Sequence, residues 1–218
     1  MIISRLEVLI ATRNSGKIRE IQEALGGSRV VLRYLEDFPE VTPVEEIGET
    51  YRENAVIKAM NYSKQTGLCT LADDSGLEVD ALGGRPGIHS AGFGGSIASD
   101  RERTEKLLAT LSHCPDRKRT ARFVCCMALA ESRSGELEPS AGRLLSIAVG
   151  KCEGIITDHL RGTNGFGFDP VFVPAGYDTT FAEMPPKLKC GISHRAKALA
   201  LIQEFLDHSL LDRRLAGP

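Results

Sequence analysis

Apolar and polar positions along this chain fall into two periods. Leu6 to Ala11 (LEVLIA) and Val30 to Leu35 are short, β-prone apolar runs, and between them Ile18, Ile21, Ala24 and Leu25 recur at three- and four-residue spacing, which predicts a helix. Asn14 or Ser15 stands where that helix needs an N-cap. The most regular helical pattern runs from about Thr50 to Thr66. There Thr50 and Glu53 make a capping-box pair, Ala55, Ala59 and Tyr62 share a face, and Glu53 early with Lys58 and Lys64 later complement the dipole. Leu68, Cys69, Leu71 and Ala72 then predict a strand that stops at Asp73-Asp74, with a Gly-rich loop after it as far as Gly95. A further helix is expected over Ser99 to Leu111, ended by Cys114-Pro115-Asp116. Thr120 to Glu131 and Leu144 to Glu153 read as two long strands, and a last amphipathic helix carries Leu199, Ile202, Phe205 and Leu206. Strand–helix units followed by two successive strands predict an α/β (mixed α+β) chain whose sheet is mixed, with an antiparallel part.

Composition narrows the picture. The chain has 218 residues, which suits one domain or two closely fused lobes, and 42% hydrophobic with 26% charged residues is ordinary for a globular protein. A net charge of -2 supplies no basic field, so nucleic acid is not an expected partner. Six cysteines without a C-x-x-C pair read as reduced thiols rather than a zinc site. The apolar run near the N-terminus is too short for a signal peptide or a membrane span, and a cytoplasmic protein is expected.

Four stretches carry candidate chemistry. Asp73-Asp74-Ser75-Gly76 reads equally as a turn or as a pair of carboxylates suited to a hard divalent cation. Thr12-Arg13-Asn14-Ser15-Gly16-Lys17, between a strand and a helix start, is an ordinary capped helix or an anion site, and it lacks the Walker A spacing. Glu40, Glu45, Glu46 and Glu49 make an acidic loop, either solvated or folded so that three or four carboxylates converge on one cation. In RGTNGFGFDPVFVP, Phe166 and Phe168 flank Gly167 and either stack on a base or plug the core. Lys189, His194 and Arg195 near a helix start form a cationic wall for phosphates, a hydrogen-bonding clamp for a base, or mere surface decoration.

The motifs ATRNSGK, ETYRENAVIKA, ADDSGLEVDALGGRPGI, GFGFDPVF and ISHRAKAL resemble, in order, those of the inosine/xanthosine triphosphate pyrophosphatase family, from Val8 to about Leu206. The resemblance implies an elongated central mixed sheet in a single two-lobed domain over residues 1–218, with a cleft between the lobes. It also implies a homodimeric, Mg²⁺-dependent hydrolase that converts ITP, dITP and XTP to the monophosphate and pyrophosphate. By this resemblance Thr12, Arg13, Asn14, Ser15, Gly16 and Lys17 bind the triphosphate. Asp74 is the proton acceptor and a metal ligand, Glu45 is the second ligand, and Ser75 contacts substrate. Phe166, Gly167, Phe168 and Asp169 line the base pocket, Lys189 contacts substrate, and His194 with Arg195 read the purine 6-oxo edge. Arg13, Phe168, His89 and Pro185-Pro186-Lys187 depart from the family's usual residues, without removing a carboxylate or cation the mechanism needs. Two other readings stand beside this one: a nucleotide sensor that does not cleave, and a pyrophosphatase of different base specificity.

Overall fold

A computed structural model describes residues 5–27, 30–95, 98–112, 119–132 and 142–215, with side chains as far as residue 209. Cys114, the expected helix end at Cys114-Pro115-Asp116 and most of the polar loop before Leu144 lie outside the described residues. Six strands form one sheet in the order β2-β1-β3-β4-β5-β6. They are β1 (Leu6–Ile10), β2 (Val30–Tyr34), β3 (Cys69–Val79), β4 (Thr120–Glu131), β5 (Arg143–Ile156) and β6 (Phe172–Pro174). The helices are α1 (Ser15–Leu25), α2 (Tyr51–Thr66), α3 (Asp100–Leu111), α4 (Pro186–Ile192) and α5 (His194–Leu215). β1 pairs in parallel with β2 and with β3, while β5 and β6 are antiparallel, so the sheet is mixed as the pattern predicts.

The chain divides into two compact units. The first comprises residues up to Asp74, Cys126–Val149 and the chain from Ala196 onward; the second comprises Ser75–Cys125 and Gly150–Arg195. In the first, α2 turns Ala55, Ala59 and Tyr62 onto Leu9, Ala11, Ala72, Cys126, Ala128 and Ala130, a layer of helix against strands. The small alanines let the helix backbone lie close to the sheet. Thr50 caps α2 by accepting from the Glu53 N–H, and Gly67 ends it at φ 71, the left-handed region that glycine enters without a Cβ penalty. In the second unit Leu77, Val79, Leu107, Leu111, Phe123, Phe172, Phe181 and Met184 make a separate apolar cluster. Phe123 and Phe172 meet edge to face at 4.7 Å within it.

β3 does not stop at the paired carboxylates. It runs eleven residues, through Asp73-Asp74-Ser75-Gly76 to Val79, as an inner strand of the sheet. Asp, Ser and Gly are turn formers locally, but strand propensity yields to the surrounding sheet: β1 pairs with the first residues of β3, Cys69 to Leu71, and β4 is the neighbour on its other side. Asp73 and Asp74 are therefore buried, with 2% and 4% of their surface exposed, rather than placed at a sheet edge.

Candidate active site

In the first unit the site is built on β1, α1, α2 and β3. The end of β1 leads into a turn in which Thr12 Oγ1 accepts from the Asn14 N–H and Asn14 Oδ1 accepts from the Lys17 N–H, making Asn14 the cap of α1. Arg13, Asn14 and Ser15 are exposed, and Gly16 is buried. The Lys17 ammonium lies 3.0 Å from Asp73 Oδ2. Cation, helix start and carboxylate are thus joined, and the N–H groups of the first turn with the positive helix end favour an anion there.

The acidic segment is not a loose loop. It lies along α2, fastened about once per helical turn. Gln65 accepts from the Thr42 N–H at 2.8 Å, the Tyr62 hydroxyl accepts from the Val44 N–H at 3.2 Å, and Lys58 Nζ donates to Glu46 at 2.8 Å. Asn54 Oδ1 then accepts from the Gly48 N–H at 2.8 Å, and Glu53 accepts from the Glu49 N–H at 2.7 Å. An extended chain climbs about 6.6 Å in two residues and a helix about 5.4 Å per turn, so alternate residues of the segment find successive turns of α2.

Two rungs of this ladder reach β3, one at the Asp74 carboxylate and one at the Asp73 backbone carbonyl. Asn54 Nδ2 donates to Asp74 Oδ2 at 3.0 Å, and Lys58 Nζ donates to the Asp73 carbonyl at 2.6 Å. Burial raises the proton affinity of Asp74 above the ordinary carboxylate range; Lys58 and Asn54 oppose this, Glu46 adds to it, and Lys17 opposes it. For Lys58 burial alone would favour the neutral amine, yet Asp73, Glu46 and Asp74 outweigh it and hold the ammonium charged. The sequence pattern does not mark Asn54, and it marks Lys58 only as a complement to the helix dipole. The signal was present as a polar stripe, Asn54, Lys58, Tyr62 and Gln65, at helical spacing on the face toward the acids.

Glu45 and Glu46 are both exposed, and Glu46, tied to Lys58, is the one that acts electrostatically on Asp74. Among the described residues no three His, Cys, Asp or Glu side chains gather into a metal cage, so the alternative in which three or four carboxylates converge does not occur. A buried carboxylate with Glu46 close enough to act on it still fits Mg²⁺, which is commonly held by one or two carboxylates, substrate phosphates and water rather than by an all-protein cage.

In the second unit Lys189, His194 and Arg195 are buried at 5%, 4% and 1% exposure, so they are not surface decoration. Lys189 Nζ pairs with Asp169 Oδ2 at 2.5 Å, and the same oxygen accepts from the Phe166 N–H at 2.8 Å. Phe166 is half-buried, with Lys189 Nζ 4.7 Å and the Arg195 guanidinium carbon 5.7 Å from its ring centroid. Arg195 also donates to Ser75 Oγ at 2.8 Å, and His194 stacks on Phe123 at 4.7 Å. The two phenylalanines of GFGFD thus divide the readings between them: Phe166 faces the cations, and Phe168 is a core plug against Phe93. The start of α3 grips the turn between them, because Asp100 Oδ2 accepts from the Gly167 N–H and Thr104 Oγ1 donates to its carbonyl.

In the first unit a buried carboxylate beside two lysines and a helix start suits phosphate chemistry, and in the second a cationic and aromatic set suits a base. Residues 8–205 match the sequence profile of the Ham1 family. The chain belongs to the Ham1 family. It is 46% identical over 199 residues to a dITP/XTP pyrophosphatase of Geobacter sulfurreducens, covering 91% of this chain and 96% of that one. With the dITP/XTP pyrophosphatase of Bacillus cereus the identity is 42%, over 92% and 95% of the two chains. Among solved structures, a Ham1 protein of Coxiella burnetii superposes with a TM-score of 0.80 at 40% identity, over 93% of this chain and 99% of that one. The Ham1 protein of Staphylococcus aureus gives 0.78 at 35% identity with the same coverage. No helix among the described residues of this Ham1-family chain is long and apolar enough to cross a membrane.

Proposed function

We propose that this Ham1-family chain hydrolyses non-standard purine nucleoside triphosphates, dITP, ITP and XTP, to the monophosphate and pyrophosphate. The observation that carries the reading is Asp74, a buried carboxylate of raised proton affinity held by Asn54 in a setting of two lysines. A group so placed accepts a proton from the water that attacks the α-phosphorus. The attacking oxygen bonds to that phosphorus, the bond to the bridging oxygen breaks, and pyrophosphate leaves with the electron pair. Lys17, Lys58 and the positive end of α1 offset the charge gathering on the phosphate oxygens. Asp74 and Glu45 would hold Mg²⁺, Glu46 being committed to Lys58. Bound there, the ion supplies Lewis acidity toward the phosphate oxygens.

In the second unit, Phe166 offers a ring face to the purine, while Arg195 and His194 donate to its 6-oxo group. Adenine, with an amino group at that position, leaves those buried donors unpaired, which is costly. Family likeness also supports a homodimer in the cytoplasm, which light scattering and fractionation test.

The decisive experiment is pyrophosphate release from dITP, XTP and dATP, with Mg²⁺ and with EDTA. Rapid Mg²⁺-dependent release from dITP and XTP with little from dATP is expected. Equal release from all three removes the 6-oxo role of His194 and Arg195. Binding of dITP without release in Mg²⁺ makes the protein a sensor and overturns the hydrolase reading.

A further inference from the structure

Asn54 has a place no catalytic role requires it to have. It sits on α2 with 3% of its surface exposed, and both ends of its amide are spent on different strands of chain. Nδ2 donates to Asp74 Oδ2 at 3.0 Å, and Oδ1 accepts from the Gly48 N–H at 2.8 Å, two and three residues past Glu46 and Glu45. Of the rungs joining α2 to the acidic segment, it is the one whose side chain also fixes the orientation of the Asp74 carboxylate. The fit at Gly48 is tight: a Cβ there would lie 2.7 Å from Asn54 Oδ1 and 2.6 Å from Glu53 Cβ. Glycine at this position is what allows the segment's backbone to reach the amide.

We propose that Asn54 is a positioning residue that couples the acidic segment to Asp74. One planar amide sets both which Asp74 oxygen is held and how far the Glu45-Glu46 backbone stands from it. An asparagine does this where a charged side chain would not. Its donor end satisfies a carboxylate and its acceptor end a backbone N–H, and neither end adds charge next to Lys58. The inference rests on the proposed hydrolase reading for the purpose of the coupling, though not for its existence. Partners that orient a ligating or reacting carboxylate typically matter by about 10- to 100-fold in affinity or rate.

The test is a double-mutant cycle on the full chain with Asn54→Ala and Gly48→Ala, read as kcat and KM for dITP and as the dissociation constant for Mn²⁺ by calorimetry without nucleotide. Each single variant is expected to lower kcat by about 10- to 100-fold with KM little changed, and to weaken Mn²⁺ binding. The double variant is expected to be no worse than the weaker single, since both break one link. Asn54→Asp keeps the shape and the bond from Gly48 but sets a carboxylate against Asp74, and it should lower kcat likewise. This isosteric variant guards against a simple failure of Asn54→Ala to fold, which circular dichroism detects. Fold-changes that multiply in the double variant, or parent-like kcat and Mn²⁺ affinity in Asn54→Ala and Asn54→Asp, overturn the coupling. If the parent chain releases no pyrophosphate from dITP, the hydrolase reading fails by itself, and the Mn²⁺ cycle still decides the role of Asn54.

Discussion

Replacing Lys58 by methionine removes one charge and keeps most of the aliphatic stem, so it isolates what the ammonium does. The structure gives that ammonium two partners of unequal worth. The bond to the Asp73 carbonyl is buried, and a buried hydrogen bond from a charged donor contributes about 1.5–3 kcal/mol. The bond to Glu46 is shared with a carboxylate that is 45% exposed, and such pairs contribute about 0–1 kcal/mol. Lys58→Met should therefore lose about 1.5–4 kcal/mol of stability, which for a chain of 218 residues lowers Tm by about 3–16 °C. The pH dependence follows from the raised proton affinity of Lys58. A lysine held charged in the fold contributes stability that is complete below its ordinary value of 10.5 and is lost as pH rises through the higher folded value. The deficit of the variant should thus be constant from neutral pH to about pH 9 and shrink in stronger alkali. Calorimetric melts of parent and variant across that range measure both. A variant melting within about 1 °C of the parent at neutral pH would show that the cost of burying the ammonium cancels its bonds, refuting the ledger.

Three other outcomes follow from the same geometry. Asp74→Asn should abolish pyrophosphate release yet raise the Tm of the metal-free protein at neutral pH. A carboxylate whose proton affinity burial has raised costs stability once ionised, so the gain should vanish as pH falls through its folded value, and a lower Tm at neutral pH would contradict this. Gly165→Ala forces a side chain into a backbone of φ 77, with its Cβ 2.0 Å from Asp169 Oδ2. It should cost more than about 1 kcal/mol and raise KM for dITP by displacing the partner of Lys189; a parent-like urea midpoint and KM would show that the turn relaxes freely. Burial pushes the Cys126 thiol up to about 11, with Asp74 and Asp73 adding to the shift and Arg52 opposing it. Iodoacetamide at neutral pH should therefore label the half-buried Cys190 before Cys126, as peptide mass mapping would report.

Much of the fold was legible because local and tertiary preferences agreed. β4 spans the twelve residues its apolar run marks, and α2 starts after Thr50 and buries the face that Ala55, Ala59 and Tyr62 define. α4 escaped notice even though Pro186 stands at its first turn, where a missing N–H does no harm. Asp-Asp-Ser-Gly has the chemistry of a turn, so the pattern ends β3 too early, whereas the strand continues through these residues to Val79 within the sheet. The carboxylates and cations of the site stood out as residue types, but their supports did not. Lys58 looks like a dipole-complementing surface lysine until its reach to Asp73 is seen, and Arg195 like an exposed cation until its 1% exposure is known. Charge and helical period are visible one residue at a time; burial of a charge depends on what packs over it.

The course of β3 through Asp73 and Asp74 has a consequence for how this chain tolerates length changes. Neighbouring residues of a strand project to opposite sides, so the two acids serve different masters: Asp73 takes Lys17 of α1, and Asp74 takes Asn54 of α2. Losing or gaining one codon between Cys69 and Asp73 would not merely shift the acids by a residue's rise. An insertion would bring Asp73 to Asn54 and leave Lys17 without its acid, a deletion would bring Asp74 to Lys17 and Ser75 to Asn54, and either would turn Ala72 off its helix. Point substitutions in this stretch can be graded by chemistry, but a single-residue insertion or deletion turns every following side chain of the strand to the other face.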